Sequence, residues 1–90
     1  MRLIRWTTEA SDQLEAAVIR VQQDSPTAAR SIAQAVIQQI EQLARFPNLG
    51  RPGEVTGTRE LVSPPYVVVY RSTEEIVEIL YIWHGVQDWR

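Results

Sequence analysis

Residues 66–70 read YVVVY, and this run decides the fold class because every position in it is β-branched or aromatic. Such residues favour strands, and a strand that is apolar on both faces is expected at the centre of a sheet. Residues 76–83, IVEILYIW, predict another long strand after a tight turn at residues 73–74. Residues 59–62 predict a shorter strand before the central run, with the Ser-Pro-Pro of residues 63–65 as the turn between them. The C-terminal half is therefore expected to be an antiparallel meander.

The N-terminal half has a helical period. Residues 2–6 are typical of a short strand, and Thr7 or Thr8 then supplies the N-cap of a first helix. A second helix is predicted from the Ser-Pro of residues 25–26, with serine as N-cap and proline in the first turn. Its apolar residues recur at i, i+3 and i+4 spacing, and it is expected to stop at the Phe-Pro of residues 46–47. The two helices predict an αα-hairpin.

The order of these elements predicts an α+β fold. An N-terminal strand is followed by the helical hairpin and then by the meander, so the helices are expected to pack on one face of a four-stranded antiparallel sheet. The loop over residues 47–57 is rich in glycine and proline and is predicted to turn repeatedly. A chain of 90 residues has room for one domain, spanning residues 1–90.

Composition excludes several classes of protein. The chain has no cysteine and a single histidine, which excludes a disulfide scaffold and a thiolate metal site and makes a zinc site or other cofactor unexpected. It contains no apolar run of the roughly 20 residues that a membrane helix needs, so a cytoplasmic protein is expected. Its formal net charge is −2 and all nine basic residues are arginine, so any contact with nucleic acid must depend on a local patch.

The predicted turns also suggest which side chains share a face of the sheet. If residues 72 and 75 flank a two-residue turn, Val69 lies opposite Glu78. If residues 62 and 66 flank the Ser-Pro-Pro turn, Arg59 lies opposite Val69 and close enough to Glu78 to pair. One face then carries no charge: Tyr66, Val68, Tyr70, Val77, Ile79, Tyr81 and Trp83. The other face is mixed: Arg59, Leu61, Val67, Val69, Arg71, Ile76, Glu78, Leu80, Ile82 and His84. The uncharged face is expected to pack against the helices, and the mixed face to be open to a ligand or partner.

Four segments of the chain, taken in order, resemble the RelE/ParE superfamily of bacterial toxins. They are FPNLGRPG at residues 46–53, GTRELV at 57–62, YVVVYR at 66–71 and ILYIWHG at 79–85. The resemblance covers essentially the whole chain. It implies the toxin of a type II toxin–antitoxin module, neutralised by a cognate antitoxin in a heterotetramer or a larger complex. RelE-like members cut mRNA on the ribosome, whereas ParE-like members poison DNA gyrase without being nucleases.

A nuclease of this kind needs a base for the 2′-hydroxyl, an acid for the leaving oxygen and cations on the phosphate. Glu54, in the glycine-rich loop, is the candidate base, and the resemblance implies His84 as the candidate acid. Arg59 is the candidate for stabilising charge in the catalytic site. Arg51 and Arg71 are the candidates for binding nucleic acid.

Each of these residues also has a structural interpretation. Glu54 is most simply a solvated loop residue, His84 is also consistent with the end of a strand, and Arg59 is also consistent with an ion pair. The sequence favours the ribosome-dependent endoribonuclease, and the gyrase inhibitor is the alternative. In either case, an antitoxin segment is expected to cover the open sheet face or the groove beside the helical hairpin. Trp89 is expected to anchor the C-terminus on the sheet or on a neighbouring subunit.

Overall fold

The computed structural model describes residues 1–85, so the predicted anchoring by Trp89 lies outside the described residues. The elements are β1 (Leu3–Trp6), α1 (Thr8–Asp24), α2 (Pro26–Gln42), β2 (Arg51–Pro52), β3 (Arg59–Ser63), β4 (Tyr66–Ser72) and β5 (Ile76–His84). The strands form one sheet in the order β1-β5-β4-β3-β2, and buried side chains of α1 and α2 pack on one of its faces. The predicted α+β class and the helical hairpin on one face are confirmed.

In the described part of the chain the sheet has five strands, where four were expected. The additional strand, β2, lies inside the predicted loop and pairs antiparallel with β3, with Arg51 opposite Glu60 and Pro52 opposite Arg59. A two-residue strand has no periodicity that a sequence could reveal. The sheet is also mixed, because β1 runs parallel to β5. The connection from β1 to β5 runs through the helical hairpin and then strands β2, β3 and β4, so it has the length that a parallel pair requires.

Side-chain caps set the helix boundaries as expected. The Thr7 hydroxyl accepts a hydrogen bond from the Ala10 amide at 3.1 Å, and the Ser25 hydroxyl accepts one from the Ala28 amide at 3.1 Å. Pro26 occupies the first turn of α2. At its C-terminal end, α2 stops at Gln42 and a turn over residues 43–45 follows, so the helix is shorter than predicted.

The register between β3 and β4 differs by one residue from the prediction. Ser63 pairs with Tyr66, so the two prolines between them form a two-residue turn without the serine. Leu61 consequently lies opposite Val68, on the helix-facing side, and is buried. The assignment of Leu61 to the open face is wrong because a shift of one residue moves every side chain of a strand to the other face.

The register between β4 and β5 is also displaced. The Thr73 amide donates to the Ile76 carbonyl at 2.8 Å, and the Thr73 hydroxyl accepts from the Ile76 amide at 3.2 Å. The turn therefore lies at residues 74–75, one residue later than predicted. Arg71 consequently faces Glu78, and Val69 faces Tyr81 where Glu78 was expected.

An irregularity in β5 changes which side chains face the helices. Tyr70 pairs with Ile79 but Val69 pairs with Tyr81, which leaves Leu80 as an extra residue. Such a bulge reverses the alternation of the residues after it. Ile82 therefore enters the core with 3% exposure, whereas Tyr81 keeps 46% exposure on the opposite side. The predicted placement of Tyr81 and Trp83 against the helices, and of Ile82 and His84 on the open face, is wrong for this reason.

The core fills the space between the hairpin and the helix-facing side of the sheet. Tyr70, Val68, Val77 and Ile79 contribute from β4 and β5. The largest fully buried side chains that the helical half supplies are Val36, Ile40 and Leu43. Burial of such side chains stabilises the fold by roughly 1.5–3 kcal/mol each. Within residues 1–85, no helix covers the opposite side of the sheet.

Candidate functional site

The loop between α2 and β3 is held in place by one buried phenol. The Tyr70 hydroxyl donates to the Pro47 carbonyl at 2.6 Å and accepts from the Gly50 amide at 2.9 Å. Burial raises the pKa of Tyr70, which keeps the phenol protonated as a donor. Gly50 has no space for a side chain, since a Cβ there would lie 2.7 Å from the Glu60 carbonyl oxygen. The loop is thus fixed against the sheet at its start.

Arg59 supports the same loop from strand β3. Its Nη1 donates to the Gly50 carbonyl at 2.7 Å. Because Arg59 pairs with Tyr70 across the strands, its side chain shares the helix-facing side of the sheet. The predicted ion pair with Glu78 is wrong, since the Glu78 carboxylate lies on the other side with different partners.

The other side of the sheet contains a groove of about 660 Å³, which we call the open-face groove. The loop contributes Glu54, Val55 and Thr58 to its lining, and the bulged part of β5 contributes Leu80, Tyr81 and Trp83. The residues that line it are Gln13, Glu54, Val55, Thr58, Glu60, Val69, Arg71, Leu80, Tyr81 and Trp83. Half of these residues are apolar or aromatic, and the other half are polar or charged. This composition is typical of a surface that binds another molecule.

The cations near the groove are already paired. Arg51 contacts Glu60 at 2.9 Å, and Arg71 contacts Glu78 at 3.0 Å. Arg5 from β1 approaches the same Glu78 carboxylate at 3.2 Å. The hydrogen bond from Arg71, followed by that from Arg5, holds the pKa of Glu78 below its usual range. The side chains of Arg51 and Arg71 are exposed, yet each guanidinium already holds a carboxylate.

The structure does not bring the three predicted catalytic residues together. Glu54 lines the open-face groove, whereas Arg59 and His84 lie on the helix-facing side of the sheet. His84 pairs with Tyr66, and their rings meet edge to face with centroids 5.4 Å apart. Of the predicted nucleic-acid contacts, Arg71 lines the groove and Arg51 lies at the sheet edge on β2. The catalytic and binding roles of these residues stay predictions.

Gln13 was not predicted as a site residue, and two aromatic residues of β5 were predicted on the wrong face of the sheet. The Gln13 Oε1 accepts a hydrogen bond from the Ile82 amide at 2.6 Å, which places a helix side chain at the rim of the groove. No pattern in the sequence distinguishes Gln13 from other polar residues of α1. Tyr81 and Trp83 line the groove because of the bulge at Leu80, which strand alternation does not anticipate.

A second, shallower groove lies on the helical hairpin. It is lined by Trp6, Ser11, Leu14, Glu15, Val18, Ile19 and Ile37 and measures about 670 Å³. Ile19 and Ile37 are 50% and 40% exposed there. This is the groove beside the hairpin that the sequence suggested as a partner surface.

Neither α1 nor α2 has the length and apolar character needed to cross a bilayer. Among residues 1–85, no group of three histidine, aspartate or glutamate side chains is arranged to hold a metal ion.

The chain is similar to known toxins over nearly its whole length. A family model described as the ParE toxin of the type II toxin–antitoxin system parDE matches residues 4–89. The Sinorhizobium fredii protein Y4kP is 38% identical over 96% of this chain and 91% of its own length. Toxin RelE2 of Caulobacter vibrioides is 32% identical, covering 97% of this chain and 99% of its own.

Solved structures of toxin–antitoxin systems are also similar to this chain. A chain of the chromosomal ParDE toxin–antitoxin system from P. aeruginosa superimposes with a TM-score of 0.83 at 29% identity, covering 93% of this chain and 96% of that one. A chain of the toxin–antitoxin complex RelBE2 from Mycobacterium tuberculosis has a TM-score of 0.69 at 26% identity, covering 92% and 96%. Both ParDE and RelBE2 proteins therefore share this fold.

Proposed function

The chain belongs to the family of ParE toxins of type II toxin–antitoxin systems, and from this premise we propose that it arrests growth by binding and inhibiting DNA gyrase. It acts without cutting nucleic acid and is neutralised by a cognate antitoxin. The observation that carries this proposal is the separation of Glu54, Arg59 and His84 onto two sides of one sheet.

Metal-free cleavage of RNA requires an acid and a base within hydrogen-bond reach of the same ribose and phosphate. A sheet layer lies between Glu54 and His84, so a substrate bound to one does not reach the other. Arg59 is also engaged, because its guanidinium holds the Gly50 carbonyl of the loop. These contacts support a binding role for the open face and structural roles for Arg59 and His84.

The endoribonuclease is the second candidate, and one observation favours it. Glu54 and Arg71 line the same groove, which offers a carboxylate base and a cation for phosphate on one surface. The similarity to RelE2 and to RelBE2 is compatible with this alternative. In that case Arg71 would have to exchange Glu78 for a phosphate, and Arg51 would have to exchange Glu60.

Induced expression in cells separates the two candidates. A gyrase inhibitor is expected to cause filamentation and a DNA damage response while protein synthesis continues at first. Rapid arrest of translation with cleavage of mRNA, before any DNA damage response, would contradict the proposal and support the endoribonuclease. Co-expression of the antitoxin encoded beside the toxin is the control, because it should restore growth in both cases.

The antitoxin is the expected partner, and the complex is expected to be a heterotetramer or larger, located in the cytoplasm. The P. aeruginosa and M. tuberculosis relatives come from ParDE and RelBE2 toxin–antitoxin systems, which supports this assignment. The open-face groove and the groove on the hairpin both expose apolar side chains that a partner would bury. Separate migration of purified toxin and antitoxin at micromolar concentration would contradict the assignment.

A further inference from the structure

Strand β5 continues past the end of its neighbour. Strand β1 ends with Trp6 opposite Ile79, and among residues 1–85 no strand pairs with this edge of β5 beyond that point. Side chains from the start of α1 cover the edge. The Thr7 hydroxyl lies 3.1 Å from the Leu80 carbonyl, and the Gln13 Oε1 accepts from the Ile82 amide at 2.6 Å. Backbone groups that lack a strand partner are thereby satisfied.

The hydrogen bond from Ile82 fixes the orientation of the Gln13 carboxamide. An amide N–H must meet an oxygen, so Oε1 is turned toward the strand. The Nε2 group and its two N–H donors are left on the other side. Gln13 is one of the residues that line the open-face groove. Its amino group is therefore an oriented donor pair at the rim of that groove.

The remainder of the groove has the character of a peptide site. Val69, Leu80 and Trp83 supply apolar surface. Glu54 also lines the groove, and it takes part in none of the ion pairs formed within residues 1–85. Glu60 adds a second carboxylate, and it shares its charge with Arg51. A nucleic-acid backbone would be repelled by these acids, whereas a basic peptide side chain would be attracted to Glu54.

We propose that Gln13 is a specificity-determining residue that donates to a main-chain carbonyl of an extended antitoxin segment seated in the open-face groove. An apolar side chain of that segment covers Val69 and Leu80, and a basic side chain faces Glu54. Such a segment would use main-chain hydrogen bonds for affinity and side-chain pockets for specificity. This inference depends on the proposed partnership with an antitoxin and assigns that partner a place.

The decisive variant is Gln13→Glu. A glutamate keeps an acceptor for the Ile82 amide but has no donor to offer, so the fold is retained while recognition is lost. The affinity of the full-length toxin for the antitoxin encoded beside it is measured by calorimetry. We expect Kd to rise by about tenfold or more, with an unchanged melting temperature, since a donor is replaced by a carboxylate facing a carbonyl. Gln23→Glu is the matched control, because it adds the same charge at an exposed position of α1 and should leave Kd unchanged.

A second variant tests the same groove away from the β5 edge. Glu54→Arg is expected to raise Kd by about tenfold or more, because two basic groups would then meet, whereas the control Glu74→Arg in the exposed turn should not. Wild-type affinity in both Gln13→Glu and Glu54→Arg would overturn the inference. If these variants instead bind antitoxin normally but lose growth arrest, the groove belongs to the target and the inference is also overturned. The proposed function is tested separately, because its failure shows as arrest of translation by the wild-type toxin.

Discussion

The two faces of the sheet use the same strands for different purposes. On the helix-facing side, Val68, Tyr70, Val77 and Ile79 are each 0% exposed. On the open side, the same strands carry ion pairs, the 46% exposed Tyr81 and the open-face groove. One face therefore stabilises the fold, and the other is free to vary its chemistry without unfolding the protein. The difference predicts that substitutions on the helix-facing side lower stability, whereas substitutions on the open side change it little.

The largest expected effect is a loss of stability on the helix-facing side. Ile79→Ala should lower the free energy of unfolding by about 2–5 kcal/mol, because it leaves a cavity in a fully buried cluster. Ile76→Ala removes the same atoms from the same strand on the open face and should cost about 1 kcal/mol or less. Urea denaturation of both variants gives the comparison. Equal losses would show that the two faces do not differ as described.

A smaller loss of stability is expected when the Tyr70 hydroxyl that holds the loop is removed. Tyr70→Phe leaves the Pro47 carbonyl and the Gly50 amide without their partner, which should cost about 1–3 kcal/mol. Hydrogen exchange should also increase in the loop over residues 47–58. Tyr81→Phe is the control, because Tyr81 is exposed and its hydroxyl makes no hydrogen bond within residues 1–85. Unchanged exchange in Tyr70→Phe would mean that the phenol does not hold the loop.

The paired carboxylate on the open face should give a modest dependence of stability on pH. The Arg71 and Arg5 hydrogen bonds lower the pKa of Glu78 in the folded protein. The contribution of Glu78 to the free energy of unfolding is therefore complete above about pH 4.3, which is the pKa of a glutamate in the unfolded chain. It is lost as the pH falls through the lower pKa that Glu78 has in the folded protein. Glu78→Gln should reduce the drop in melting temperature between pH 6 and pH 3, whereas Glu74→Gln should not. An identical drop in Glu78→Gln and wild type would contradict the assignment.

The smallest effect is expected at the single histidine. His84 lies on the helix-facing side against Tyr66, away from the open-face groove, so His84→Gln should leave growth arrest undiminished. Growth after induction measures this, with antitoxin binding and melting temperature as checks on folding. A nuclease that uses His84 as its acid should instead lose about 10²–10⁴-fold of its activity. Such a loss in a well-folded variant would restore His84 to the mechanism.

Most of the fold follows from the sequence, because the patterns that predict helices and strands depend on residues close together in the chain. The caps at Thr7 and Ser25 and the apolar stripe of α2 depend on near neighbours, and both caps are confirmed. The run at residues 66–70 correctly predicts the central strand. The registers depend on where a turn closes, and a displacement of one residue was enough to misplace Leu61. The bulge at Leu80 leaves no compositional trace, although it decides which side chains after it face the groove.

The candidate site was less predictable from the sequence, because it depends on strand registers and not on local signals. Glu54 and Arg71 were identified from residue type, and the structure places both at the open-face groove. Arg59 was predicted from residue type and His84 from the resemblance, yet pairing with Tyr70 and Tyr66 turns both to the opposite side. Gln13 was missed because its role depends on a strand edge that lies 69 residues away along the chain. Residue type suggests chemistry, but register decides which groups meet.

A supercoiling assay with purified components tests most directly the proposal that the toxin inhibits gyrase and is not a nuclease. Wild-type toxin is added to DNA gyrase, relaxed plasmid and ATP, and in parallel to programmed ribosomes with mRNA. We predict that supercoiling is inhibited in proportion to toxin, that antitoxin reverses the inhibition, and that the mRNA stays intact. Normal supercoiling together with ribosome-dependent cleavage of the mRNA would contradict the account.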